Sequence, residues 1–142
     1  MLKGIPKILS PELLKILCEM GHSDEIVIAD ANFPAASHAN RLIRMDGHNA
    51  PDVLDAILQV FPLDAYVDCP VAFMAEPDPK PVIWKEYKRI IKANDGDPAA
   101  IEEVERFAFY DRTKLAYAVI ATSESSLKAN IILKKGVIKP KA

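Results

Sequence analysis

Imidazoles exchange protons near neutrality, with an ordinary pKa of about 6.5, and the sequence has three of them, His22, His38 and His48. His22 stands at a structural boundary. It follows Gly21 and precedes Asp30 by eight residues, with the apolar run EIVIA between them. Asp30 closes that run, and parallel α/β sheets bind ligands just beyond the C-terminal ends of their strands. A proton-transfer group and a ligand-holding carboxylate are therefore the first candidates. Plainer readings exist for both, a residue that completes a helix end for His22 and a turn-forming acid for Asp30. If the strand runs away from the helix end, the two lie far apart in one subunit. They then share a site only through chain folding or across an oligomer interface.

His38 and His48 fall in polar stretches and read as solvated. A metal site from His22, Asp30 and His38 would lack HxH or HExxH spacing, so no metal is expected. The segment ERFAFYDR, 105–112, packs three aromatics between charges. Its spacing reads as an amphipathic helix with Phe107 and Tyr110 in the core, Arg106 being a surface ion-pair partner and Tyr110 a buried hydroxyl with one hydrogen bond.

The elements that must position these residues follow from local signals. Ser10, Pro11 and Gly21 bracket a helix over 11–20 with Leu13, Leu14, Leu17 and Met20 on one face. EIVIA, 25–29, reads as a strand buried on both sides, and RLIRM, 41–45, as a second strand. Pro51 and the spacing of Val53, Leu54, Ile57, Leu58 and Phe61 predict a helix that ends before Pro62. VAFMA, 71–75, is a third strand, and EPDPKP after it is too turn-rich for a central strand or helix interior. Residues 82–93 read as an exposed helix. Asp97 and Pro98 predict another, running through Glu103 or beyond. AYAVIAT, 116–122, and IILKK, 131–135, complete the strands. Strands alternating with helices imply an α/β sandwich with a largely parallel sheet.

Composition narrows the function classes. A chain of 142 residues, half of them hydrophobic, predicts one domain with a proper core, 1–142. Eighteen basic and twenty acidic residues give a net charge of −2, against any general affinity for nucleic acid or anionic membrane. The longest apolar run, Leu115 to Ala121, is seven residues, far short of the ~20 that a membrane-spanning helix needs. The N-terminus does not read as a secretory signal, so a cytoplasmic location is expected. Cys18 and Cys69 form neither a disulfide framework nor a CxxC clip and read as reduced and buried. Five scattered glycines make no phosphate-binding loop. The five lysines after Glu124 read as a solvated edge and frayed end rather than a nucleic-acid tail.

EMGHSDEIVIADANFPA (19–35), ERFAFYDR (105–112) and ANIILKKGV (129–137) carry a resemblance. Together they resemble the ribose pyranase and L-fucose mutarotase family, and within it the fucose mutarotase branch. The likeness runs over nearly the whole chain and is weakest around 76–100. It implies a three-layer α/β/α sandwich and interconversion of cyclic forms of a free monosaccharide without cofactor or metal. It also implies a ring-shaped homodecamer with active sites at subunit contacts. His22 matches the family's proton donor. Asp30, Arg106 and Asn130 match substrate-binding positions, and Tyr110 matches an aromatic lining the same pocket. RFAFY, rather than a second histidine at the position of Arg106, favours the fucose branch over pyranose–furanose interconversion of ribose. One departure is Lys128, where the fucose branch typically has a Tyr. A Lys cannot stack on a sugar face as an aromatic does, and it favours a sugar with an extra hydroxyl or a carboxylate. A sugar-binding oligomer without catalysis is the rival from another class.

Overall fold

The computed structural model describes residues 1–141. The first helix, α1 (Pro11–Glu19), begins as its residues dictate: the Ser10 hydroxyl accepts from the Leu13 amide at 3.1 Å and Pro11 opens the first turn. The other elements are β1 (Glu25–Ala29), α2 (Ala35–His38), β2 (Leu42–Met45), α3 (Ala50–Leu58) and β3 (Val71–Met74). They are followed by α4 (Ile83–Ala93), β4 (Ile101–Val104), α5 (Arg106–Leu115), β5 (Ala118–Thr122) and β6 (Ile131–Lys134).

All six strands join one sheet in the order β2-β5-β1-β6-β3-β4. The pairs β2·β5, β1·β5 and β3·β4 are parallel, whereas β6 runs antiparallel to both β1 and β3. Five strands therefore point one way and their C-terminal ends share one edge. The mixed, mostly parallel sheet agrees with the expected fold class. Alternating side chains divide the core: Ile26 and Ile28 of β1 pack with α1, α3 and α4, while Val27 and Ala29 pack with Phe33, Ala35 and Phe109 on the face carrying α2 and α5. This gives the three-layer α/β/α arrangement. No helix among the described residues is long and apolar enough to cross a membrane.

Several sequence expectations need correction. The helix expected from Asp97 is absent: the Asp97 carboxylate accepts from the Ala99 amide in a tight turn, and Ile101–Val104 is the edge strand β4. Its register against β3, Ile101 opposite Val71 and Val104 opposite Met74, overrides the local helix signal. The acids Glu102 and Glu103 suit an edge, where charge discourages further strand pairing. Helix α4 is not simply exposed, since Trp84, Tyr87, Ile90 and Ile91 are buried. On α5 the buried aromatic is Phe109, whereas Phe107 is 64% exposed and Tyr110 half-buried. Cys18 is exposed and Cys69 half-buried, because Cys18 lies off the stripe of Leu13, Ile16 and Leu17 that faces the core. His38 ends α2 half-buried, its Nδ1 at 3.0 Å from the Pro34 carbonyl. The basic tail is partly structural. Lys135 donates to the carbonyls of Leu17 and Met20 at the end of α1.

Tyr87 ties α4 to the segment before β6. Its hydroxyl donates to the Ala129 carbonyl at 2.7 Å with the ring fully buried, and burial pushes its pKa well up, so it stays a protonated donor. Tyr87→Phe leaves that carbonyl unpartnered in the core. The expected loss is about 1–2 kcal/mol of stability, read by urea unfolding.

Candidate active site

The shared C-terminal edge of the sheet gathers the polar groups. β1 ends at Ala29, so Asp30 is the first residue past the edge, and because β6 runs the opposite way with Ile131 opposite Ile28, Asn130 enters at the same edge. The Asp30 amide donates to Asn130 Oδ1 at 2.7 Å. The Asp30 carboxylate, 5% exposed as a residue, accepts the Asn32 amide on Oδ1 at 3.0 Å and the Ala129 amide on Oδ2 at 3.2 Å. Two backbone donors thus hold a buried carboxylate in a fixed orientation. The Asn130 side chain is also buried, its Nδ2 facing Met74 Sδ at 3.9 Å.

The fourth strand delivers the arginine. Glu105 follows β4 and caps α5, its carboxylate accepting the amides of Phe107 and Ala108 at 2.9 and 3.0 Å. Those two bonds hold the Glu105 carboxyl below its ordinary pKa. Arg106 therefore stands at the first helical position and Tyr110 one turn on. Arg106 Nε donates to the Tyr110 hydroxyl at 3.0 Å, and the guanidinium lies 5.2 Å from the Phe107 ring centre and 5.5 Å from that of Tyr110. Phe33 and His38 pack on Tyr110 with ring centres at 5.5 and 5.3 Å. Lys128 approaches from the loop before β6, its Nζ 2.5 Å from Glu76 Oε2.

Asp30, Arg106, Tyr110, Lys128 and Asn130 all line one cavity of about 240 Å³, with Phe33 and Met74 as its apolar walls. That volume lies just below the ~300–1,000 Å³ typical of small-molecule clefts. It matches a single sugar ring rather than a dinucleotide. A charged acceptor, a forked donor, an amide and an aromatic face are the groups that bind vicinal hydroxyls.

His22 is not among them. It lies before β1, at the opposite edge of the sheet, and the five residues of β1 alone span roughly 16 Å at ~3.3 Å per residue. There its Nε2 is 2.9 Å from Oδ1 of the buried Asp64, and the Tyr66 ring lies 5.4 Å away. The amide of Tyr66 donates to the same carboxylate oxygen at 3.1 Å. That bond, helped by His22 and opposed by burial, holds the Asp64 carboxyl below its ordinary range. His22 borders a larger cavity, about 480 Å³, with Leu14, Leu17, Met20 and Ile138 in its walls. Among the described residues no three or more His, Cys, Asp or Glu side chains are arranged to hold a metal ion.

Three further acids escaped the sequence reading. Asp64 and Glu76 had no local signal beyond lying in turn-rich stretches. Glu124 is buried and accepts the Ala50 amide at the start of α3 and the Ser126 amide, which makes it a structural acid.

The geometry has close counterparts in known proteins. A crystal structure of the fucose mutarotase from Streptococcus pneumoniae in complex with L-fucose superposes with a TM-score of 0.93 at 54% identity, covering 97% of this chain and 100% of that one. The L-fucose mutarotase of Actinobacillus pleuropneumoniae is 49% identical over 140 residues, 96% of this chain and 97% of its own length. The fucose mutarotase of Danio rerio is 47% identical over 147 residues, 98% of this chain and 95% of its own. The model of the RbsD / FucU transport protein family matches residues 3–138. With the family model matching residues 3–138 and identity near one half over 95% or more of each relative, the chain belongs to the RbsD / FucU family.

Proposed function

We propose that residues 1–142 act as one sugar mutarotase unit, which interconverts the α and β anomers of a free monosaccharide, L-fucose foremost, by acid/base ring opening and closure. The observation that carries this reading is the convergence of Asp30, Arg106, Tyr110, Lys128 and Asn130 on one sugar-sized cavity. The likeness to a fucose mutarotase holding L-fucose supports the choice of sugar.

Mutarotation needs a proton delivered to the ring oxygen while the anomeric hydroxyl loses one. The ring opens to the aldehyde, the C1 carbonyl turns, and closure on its other face gives the other anomer. Well-placed acid and base groups contribute about 10²- to 10⁴-fold to such a step. In this scheme Arg106 and Asn130 donate to sugar hydroxyls and Asp30 accepts from them. The imidazole that carries the proton is His22, supplied to the cavity by a second copy of the chain, because one chain holds His22 and Asp30 at opposite edges of its sheet. Exposed apolar side chains at both edges support such an arrangement: Phe107 and Leu127 beside the Asp30 cavity, and Tyr66 and Ile138 near His22. The ring of ten that the family resemblance implies would bring the two edges together, and analytical ultracentrifugation measures its size.

The test is exchange spectroscopy by NMR on equilibrated L-fucose. Protein at catalytic concentration should raise the rate of magnetisation transfer between the anomeric protons well above the buffer rate. An unchanged rate would overturn the proposal.

A further inference from the structure

The turn-rich segment after β3 puts an acid beside the cavity. Glu76 lies two residues past Met74 and pairs with Lys128 at 2.5 Å, the two side chains being 26% and 38% exposed. Lys128 is fixed at its other end as well. Its backbone is left-handed, with φ of +53°, a conformation that side chains with a Cβ adopt only where the surroundings impose it. What imposes it here is the next residue, whose amide donates to Asp30 and whose carbonyl accepts from Tyr87. The lysine is thus held at its base by the Asp30 scaffold and at its tip by Glu76.

Among the groups that one chain brings to the cavity the charges then cancel, Asp30 and Glu76 against Arg106 and Lys128. Lys128 alone would give the cavity an excess positive charge and an affinity for a carboxylate, the preference its presence suggests from sequence. Glu76 removes that excess. It occupies one of the three ammonium N–H donors and leaves the others for a neutral acceptor.

We propose that the Glu76–Lys128 pair sets specificity. Glu76 cancels the charge that Lys128 brings, so the site takes neutral sugars through hydroxyl hydrogen bonds and rejects sugars bearing a carboxylate. The ligand class rests on the mutarotase reading above. Rejection here comes from withholding the net positive charge that a carboxylate would need to offset its desolvation, so the wrong ligand is disfavoured rather than the right one strengthened.

The test compares L-fucose with L-galacturonate, which has the same ring stereochemistry and a carboxylate in place of the C6 methyl. Affinities are measured by isothermal titration calorimetry for the native protein, Glu76→Gln, Lys128→Gly and the double variant, with L-fucose exchange followed in parallel. Glycine at 128 keeps the left-handed backbone without strain, so the loop survives loss of the side chain. The native protein should prefer L-fucose. Glu76→Gln should raise the galacturonate-to-fucose affinity ratio about tenfold, with the gain shrinking as salt is added. Lys128→Gly should lower the ratio, and the double variant should return near the native value because the charges again cancel. A ratio unmoved within twofold by Glu76→Gln, a double variant that stays at the Glu76→Gln value, or a native preference for galacturonate would each overturn the proposal. Ratios that shift as expected in a protein that does not accelerate L-fucose exchange would uphold the charge device and sink the mutarotase reading instead.

Discussion

His22→Ala is expected to bring L-fucose anomer exchange close to the buffer rate, a loss of about 10²- to 10⁴-fold, the range that one acid/base group supplies. The fold and the assembly should be unchanged. His22 is an exposed residue and its imidazole contacts Asp64 and Tyr66 rather than the core. The variant leaves Asp64 with the Tyr66 amide still bound, so circular dichroism and sedimentation should match the native protein. A sharper form of the experiment uses two inactive variants. If His22 from one copy and Asp30 from another make one site, His22→Ala and Asp30→Asn chains refolded together should recover activity. Random pairing across a heterologous interface restores about one quarter of the sites. No recovery in mixed assemblies, with each variant inactive alone, would place both groups' contributions within a single chain.

The second large effect is expected from Asp30→Asn. The carboxylate receives the amides of Asn32 and Ala129, one on each oxygen, and it is the charged acceptor of the cavity. An amide has a single acceptor oxygen, so one of the two backbone donors loses its partner and the new NH₂ group points at it. A stability loss of about 1–3 kcal/mol follows from a buried polar group left unsatisfied. Exchange should fall by at least about 10²-fold, since the group held for sugar hydroxyls loses both its charge and its orientation. Thermal unfolding by calorimetry measures the first effect and NMR exchange the second. An Asp30→Asn protein that exchanges L-fucose at the native rate would remove Asp30 from the site.

The strands EIVIA, VAFMA and IILKK are legible because short apolar runs bounded by charged or turn-forming residues and buried within a sheet have few other readings. Asp97 to Glu103 was not, because a cap residue followed by Pro writes a local helix signal, while the pairing of Ile101 and Val104 with β3 is a contact at long range. Phe107 and Phe109 differ by two positions on one helix. Periodicity alone does not say which of them faces the sheet when charges flank both.

The same division runs through the site. Asp30 was marked by its place after an apolar strand, a position set by local sequence and by the general geometry of parallel sheets. Arg106, Tyr110, Lys128 and Asn130 came from family resemblance alone, since each is separated from Asp30 by 76 residues or more. The reversal of β6 brings Asn130 beside Asp30, and the start of α5 after β4 brings Arg106. Neither is written in any local window. Local windows of three or four neighbours settle the buried strands β1, β3, β5 and β6, the core-facing stripe of α1 and the place of Asp30 after β1, but not the strand at Ile101–Val104 or the apolar faces of α4 and α5. The pairing of Glu76 with Lys128, the contact of Asp64 with His22 and the place of His22 and Asp30 at opposite edges come from long-range contacts alone. Strand order and direction are fixed by packing across the whole chain, and they determine which distant side chains meet.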